Sequence, residues 1–285
     1  MPDFMRSLSS LGTRMKNKLE KEQESITSSI FSPRNSSRDD QPPAYTVAVN
    51  DCNSPYTFLA LFDILLLIDD SGSMAGRRWS DTENAIAAIA PICADYDADG
   101  FDVCFLHHRN IQNMETGAFT KIATAMGVHE LFQTVIPGDV TPVGRRLYDI
   151  LDPYMRRVES MSKARLNGNA AVPTVKPLNI IVITDGSPTD DVESVVINVA
   201  KRLDKCNAQP WQVGIQFVQV GNDAKATQWL QELDDVLHKE QGVRDIVDTA
   251  PWSGNQFSVE TLMKIMLGGI DKRFDRKNIS NAAVK

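Results

Sequence analysis

The sequence predicts an α/β domain: a doubly wound, mostly parallel central sheet with helices on both faces. Two observations predict it. Several strand-length segments are apolar throughout, without the period-two alternation of a sheet that has one wet face. Segments with helical spacing of apolar residues separate them.

The first strand is FDILLLID, in which Ile64 to Ile68 are all aliphatic. Asp81 to Ile92 follows as a helix, with Ala85, Ile86, Ile89 and Ala90 turned inward. Phe101 to His108 (FDVCFLHH) is the second strand, and Val128 to Val135 a short helix. Pro142 to Val158 reads as a longer helix, because a proline suits a first turn. The polar, glycine-containing stretch 159–176 reads as an exposed loop insertion. Leu178 to Asp185 (LNIIVITD) is the second fully apolar strand, and Asp191 to Cys206 the next helix. Trp211 to Gly221 is a strand, Thr227 to Leu237 a helix, and Asp245 to Asp248 a short strand. Ser258 to Phe274 closes the domain as a helix, with Ser258 placed to cap it.

The domain is expected over 58–275, between a disordered leader at 1–57 and a flexible tail at 276–285. Within the leader, 20–43 is rich in Ser, charged residues and Pro, and buries too little apolar surface to offset its ordering entropy. Phe4, Leu8, Leu11, Met15 and Leu19 form a helical stripe among basic residues, read as a frayed nascent helix rather than a membrane-surface one. The segment Gln41-Pro42-Pro43-Ala44-Tyr45 contains Pro-Pro-x-Tyr. It looks like a ligand for WW domains, including those of HECT-type ubiquitin ligases. Two prolines pre-form a polyproline II turn for an aromatic groove, and Tyr45 fills a neighbouring pocket.

Composition excludes several classes. Hydrophobic residues make up 42% and charged residues 24%, ordinary for a globular protein. A net charge of −7 disfavours nucleic acid. No apolar run reaches membrane-spanning length, and the N-terminus lacks a signal-peptide core. Cys52, Cys93, Cys104 and Cys206 are scattered, as reduced thiols would be. A cytoplasmic location is the expectation.

Ligands of open α/β sheets sit beyond the carboxyl ends of the strands. One strand here ends Asp69-Asp70-Ser71-Gly72-Ser73, another Thr184-Asp185-Gly186-Ser187-Pro188, and Gly138-Asp139-Val140-Thr141-Pro142 precedes a helix. Carboxylates and hydroxyls are hard oxygen donors, suited to Mg2+, Mn2+ or Ca2+. Alternate residues of an extended turn point the same way, so Asp69, Ser71 and Ser73 can aim at one point, with Gly72 allowing a tight bend. Asp70 reads as a solvated neighbour, Asp190 and Asp191 as acids favoured at a helix N-terminus. Catalytic roles for His107 and His108 are disfavoured. Trp211, Trp229 and Trp252 read as packing residues.

Asp69-x-Ser71-x-Ser73, Thr141 and Asp185 in Thr-Asp-Gly resemble the metal-ion-dependent adhesion site of von Willebrand factor type A domains. The resemblance spans roughly 60–273. VGIQFVQVGND followed by LDD is similar, more loosely, to intracellular fungal-type members. Family members often carry Gly before the Thr-Pro pair, where this chain has Val140. The resemblance implies an Mg2+ or Mn2+ ion held by Asp69, Ser71, Ser73, Thr141 and Asp185. The ion would bind an Asp or Glu of a partner protein, without catalysis. The contrasting reading is a Mg2+-dependent phosphotransferase or phosphatase using Asp69 as nucleophile. The residue two positions on, Ser71, is not the second acid that such enzymes carry when they resemble haloacid dehalogenases.

Overall fold

A computed structural model describes residues 60–250 except 98, 170, 240, 241 and 243, with backbone alone at 234–239, together with Leu262, Ile265 and Met266. The Pro-Pro-x-Tyr segment, the helical stripe of the leader, Cys52, Trp252 and most of the helix expected at 258–274 lie outside the described residues.

Six strands form one sheet: β1 (Asp63–Ile68), β2 (Phe101–Phe105), β3 (Phe119–Ile122), β4 (Leu178–Thr184), β5 (Val213–Gln219) and β6 (Val247–Ala250). Their order is β3-β2-β1-β4-β5-β6. All neighbours pair in parallel except β2 and β3, which are antiparallel. Among the described residues the helices are α1 (Arg77–Tyr96), α2 (Ala125–Gln133), α3 (Val143–Leu166), α4 (Val192–Lys205) and α5 (Ala224–Lys239), and Leu262, Ile265 and Met266 are also helical. The doubly wound, mostly parallel sheet expected from the sequence is thus the observed one.

The aliphatic runs do what their composition requires. Leu66, Leu67 and Ile68 of β1 are fully buried, as are Ile180, Ile181, Val182 and Ile183 of β4. Leu65, Leu67, Ile180, Val182, Ile215 and Phe217 join a core completed by α3, α4 and α5. On the other side Phe105 meets Trp79 of α1 and Phe132 of α2 at ring-centroid separations of 5.9 and 5.8 Å. Ala85, Ile86, Ile89 and Ala90 are buried along α1. Trp229 packs edge-on against Phe217 at 5.4 Å, and Trp211 is buried, both as packing residues.

Several boundaries differ from expectation. β3 had no sequence signal: FTKI is half exposed and lies at the sheet edge, where apolar patterning is not enforced. The stretch 159–176 is not a loop throughout, since α3 continues through Leu166. Glu159, Met161, Lys163, Ala164 and Arg165 are good helix formers, and Met161 is buried. Arg202 of α4 holds Glu159 at 2.6 Å and Asp152 at 2.9 Å, bracing the extension. The helix stops at Asn167-Gly168, where Gly168 takes a left-handed φ of 79°. The last strand is Val247–Ala250, two residues later than expected.

Among the described residues Arg146 of α3 is the largest fully buried side chain. Its Nε donates to the Phe105 carbonyl at 2.8 Å and its Nη1 to the Thr116 carbonyl at 2.6 Å. The cation therefore fixes the exit of β2 to the helix that begins beside the candidate site. Among the described residues Cys93, Cys104 and Cys206 are free thiols. Burial pushes Cys93 up to about 12 and Cys104 up to about 11, so neither forms a thiolate at neutral pH. No helix among the described residues is long and apolar enough to cross a membrane.

Candidate metal centre

β1 and β4 are neighbours from which the chain winds outward in opposite directions, the crevice position for ligands in this architecture. The register pairs Ile68 with Ile183, so Asp69 and Thr184-Asp185 leave the sheet side by side. The Asp69 N–H donates to the Ile183 carbonyl at 2.9 Å.

Asp69 and Asp185 are almost wholly buried. Asp69 Oδ1 accepts from the Ser71 N–H at 2.8 Å, and Oδ2 from the Thr184 hydroxyl at 2.6 Å. Burial pushes the Asp69 carboxyl up, against the downward pull of the bonds from Thr184 and Ser71. Ser71 is extended, and Gly72–Met74 then form a single 3-10 turn anchored by the buried Met74. The turn, rather than strand-like alternation, brings Ser71 and Ser73 together, and Gly72 does so without a left-handed φ. The two hydroxyl oxygens lie 3.1 Å apart. Ser73 donates to Asp185 Oδ1 at 2.7 Å. A hydroxyl has one proton, so Ser71 must be the donor to Ser73.

Asp69, Ser71, Ser73 and Asp185 therefore form one connected group. Thr141 reaches it by backbone: Gly72 N–H donates to the Asp139 carbonyl at 3.3 Å and Gly138 N–H to the Asp70 carbonyl at 2.8 Å. The Thr141 carbonyl accepts from Thr189 N–H at 2.9 Å, tying the loop to the segment after Asp185. Its hydroxyl takes no part in the chain of side-chain bonds just described. Asp139 adopts φ 63°, a left-handed conformation that aspartate tolerates better than most residues. Val140 is exposed, and its carbonyl accepts from His107 Nε2 at 2.6 Å. His107 is thus a brace for the Thr141 loop.

Two acids have roles that the sequence reading did not give them. Asp70 is not solvated: it is buried, and its carboxylate accepts from the backbone N–H groups of His107 and His108 at 2.9 and 3.0 Å. Asp190 does not sit on the helix that follows it. It reaches the first turn of α3, accepting from Gly144 N–H at 2.9 Å and Arg145 N–H at 2.7 Å. Asp191 is the cap of α4, accepting from Ser194 N–H at 2.9 Å. The close approach of the two helix starts requires Gly144, where a Cβ would stand 2.6 Å from the Asp191 carbonyl oxygen.

The sequence reading quoted Thr184 at the strand end without giving it a role, and it missed Arg78. Arg78, in the first turn of α1, pairs with Asp185 Oδ2 and donates to the Ser73 carbonyl at 3.1 Å. Arg78 has no linear signal, since it lies 107 positions from Asp185. Among the described residues no three His, Cys, Asp or Glu side chains gather as a metal-binding group. The donor set here is two carboxylates with hydroxyls. Two ligands at right angles, each 2.0–2.1 Å from a magnesium ion, stand about 2.9 Å apart. The Ser71 and Ser73 oxygens, at 3.1 Å, already have nearly that spacing.

No family model matches the sequence. No curated protein matches it either. A solved structure of the manganese-loaded TRAP protein of Plasmodium vivax is similar over 74% of this chain and 74% of that one, at 15% identity and a TM-score of 0.40. A likeness of that degree is too weak to carry a functional inference.

Proposed function

We propose that this chain carries a von Willebrand factor type A-like domain that binds a protein partner through a divalent ion, without catalysis. The observation that carries the reading is the connected group Asp69, Ser71, Ser73 and Asp185, an all-oxygen donor set of two carboxylates and two hydroxyls at the switch between β1 and β4. In this reading Ser71, Ser73 and Thr141 hold Mg2+ or Mn2+ through hydroxyl oxygens. Asp69 and Asp185 orient them and supply the negative charge. A bound ion offers an electrophilic position to an Asp or Glu of the partner. A phosphotransferase reading fits less well, because the residue two positions after Asp69 is Ser71 and not the second acid that such enzymes use when they resemble haloacid dehalogenases. The Pro42-Pro43-x-Tyr45 segment would recruit a WW-domain protein such as a HECT-type ubiquitin ligase, making the chain a cytoplasmic adaptor.

Calorimetry of purified protein with Mg2+ and Mn2+ tests the metal. Binding is expected in the parent and lost in the double variant Ser71→Ala/Ser73→Ala, whose circular dichroism should match the parent. Absence of heat in the parent at millimolar metal would refute the site. Tyr45→Ala should abolish capture by WW domains while leaving metal binding intact. Equal capture of the parent and Tyr45→Ala would make the motif a coincidence.

A further inference from the structure

We propose that Arg78 is a tethered cation of this site, seated on Asp185 when no metal is bound and displaced from it by the metal, so that it sets the metal affinity. The inference rests on the metal-site reading above and adds its regulation.

The seat is built from four elements. Arg78 projects from the first turn of α1, and its Nη1 bridges Asp185 Oδ2, after β4, and the Ser73 carbonyl, after β1. The guanidinium crosses Gly221, just after β5. A Cβ there would stand 2.8 Å from Arg78 Nε and 3.3 Å from Cζ and Nη2, and the residue has a φ of 84°. Glycine at 221 thus leaves the space that the guanidinium fills.

The charge balance explains why a cation is held there. Asp185 is buried, with 1% of its side chain exposed, against 37% for Arg78. A carboxylate so enclosed needs a positive partner or strong donors. Ser73 serves one oxygen and Arg78 the other. A divalent ion close to Asp185 supplies the same charge, and two cations on one carboxylate repel. Of the groups engaging the two acids, the others are a backbone N–H and short hydroxyls. Arg78 has the long, partly exposed side chain that can swing away. Binding of the ion and seating of Arg78 are therefore reciprocally coupled.

The test compares parent, Arg78→Gln and Arg78→Lys as full-length chains, by Mg2+ calorimetry and by thermal melting with Mg2+ or with a chelator. Arg78→Gln should melt lower in chelator yet bind Mg2+ about tenfold more tightly, a difference of about 1.4 kcal/mol. Arg78→Lys keeps the charge but not the planar fork, and should fall between the two. A residue that merely packs would lower stability without raising affinity. In 15N spectra of the parent, the Arg78 Nε–H resonance, identified by its absence in Arg78→Gln, should shift on adding Mg2+. Unchanged or weaker Mg2+ binding in Arg78→Gln overturns the proposal while leaving the metal site standing. If Arg78→Gln does not fold, affinity in Arg78→Lys no tighter than in the parent overturns it. No Mg2+ binding in any of the three proteins overturns the metal site itself, and the competition with it.

Discussion

Replacing Asp70 by alanine separates the scaffold of this site from its ligands. Asp70 lies between Asp69 and Ser71, where its residue type alone suits a solvated acid as well as a metal donor. Its carboxylate instead receives the N–H groups of His107 and His108 at 2.9 and 3.0 Å. Hydrogen bonds to a charged group contribute about 1.5–3 kcal/mol each. His107 and His108 are only half-buried, so water recovers part of the loss, and the expected cost is about 2–4 kcal/mol. For a domain of this size each kcal/mol moves Tm by about 2–4 °C, giving a drop of roughly 5–15 °C. The assay is a thermal melt in chelator followed by circular dichroism, beside Mg2+ calorimetry on the folded variant at low temperature. Stability should fall while Mg2+ binding survives within severalfold. A melting point within about 1 °C of the parent would refute the clamp, the expected loss being several times larger. An unshifted melt with abolished Mg2+ binding would make Asp70 a ligand.

Asp69→Asn should act in the opposite sense. Burial raises the Asp69 carboxyl in the folded state, so folding is favoured with that group protonated and disfavoured as pH rises through its folded value. The isosteric amide should therefore raise the chelator Tm at neutral pH, by a margin that closes as pH falls below that value, while abolishing the Mg2+-induced rise. The amide keeps one acceptor, for Ser71 N–H, while Thr184 turns its hydroxyl to the Gly186 carbonyl, so the test is the pH dependence. A Tm difference from the parent that does not change with pH would contradict the burial penalty. Gly144→Ala places a Cβ 2.6 Å from the Asp191 carbonyl oxygen and 2.8 Å from its carbon. The resulting strain should cost about 1–3 kcal/mol, exceeding the ~1 kcal/mol that alanine gains over glycine within a helix. Chemical denaturation showing an equal or greater stability would refute the close approach of α3 and the start of α4.

Legibility in the sequence followed how local each signal is. β1 and β4 announce themselves because a strand buried on both faces has no polar position to spare, and the acids that end them are conspicuous by contrast. β3 gives no such signal, because an edge strand with exposed Thr120 and Lys121 resembles a loop. The end of α3 was lost for a related reason: its last turns present polar residues to solvent and only Met161 inward. At the site, Asp69, Ser71, Ser73 and Asp185 were legible because two adjacent strand ends bring them together. The groups that position them were not. Thr184 and Asp69 are 115 positions apart, and Gly144 and Asp190 are 46 apart. Nothing in residue type distinguishes Asp70 from a solvated acid until β2 is placed beside β1.

The arrangement of donors explains how four acids coexist at one edge. Asp70 and Asp190 spend their charge on backbone N–H groups of other elements, fixing the exit of β2 and the start of α3. They stabilise the loops without adding negative charge that a ligand would feel unscreened. Asp69 is served by Ser71 N–H and Thr184, Asp185 by Ser73 and Arg78. The hydroxyls of Ser71 and Ser73 keep lone pairs for a cation, because each oxygen has two and the bond from Ser71 uses only one of those on Ser73. On the proposed function this division has a consequence. An ion held mainly through neutral hydroxyls retains more of its charge than one held by carboxylates, and so attracts an outside carboxylate more strongly. Moving a carboxylate into the hydroxyl positions, as in Ser71→Asp, would tighten the metal and weaken capture of an acidic partner.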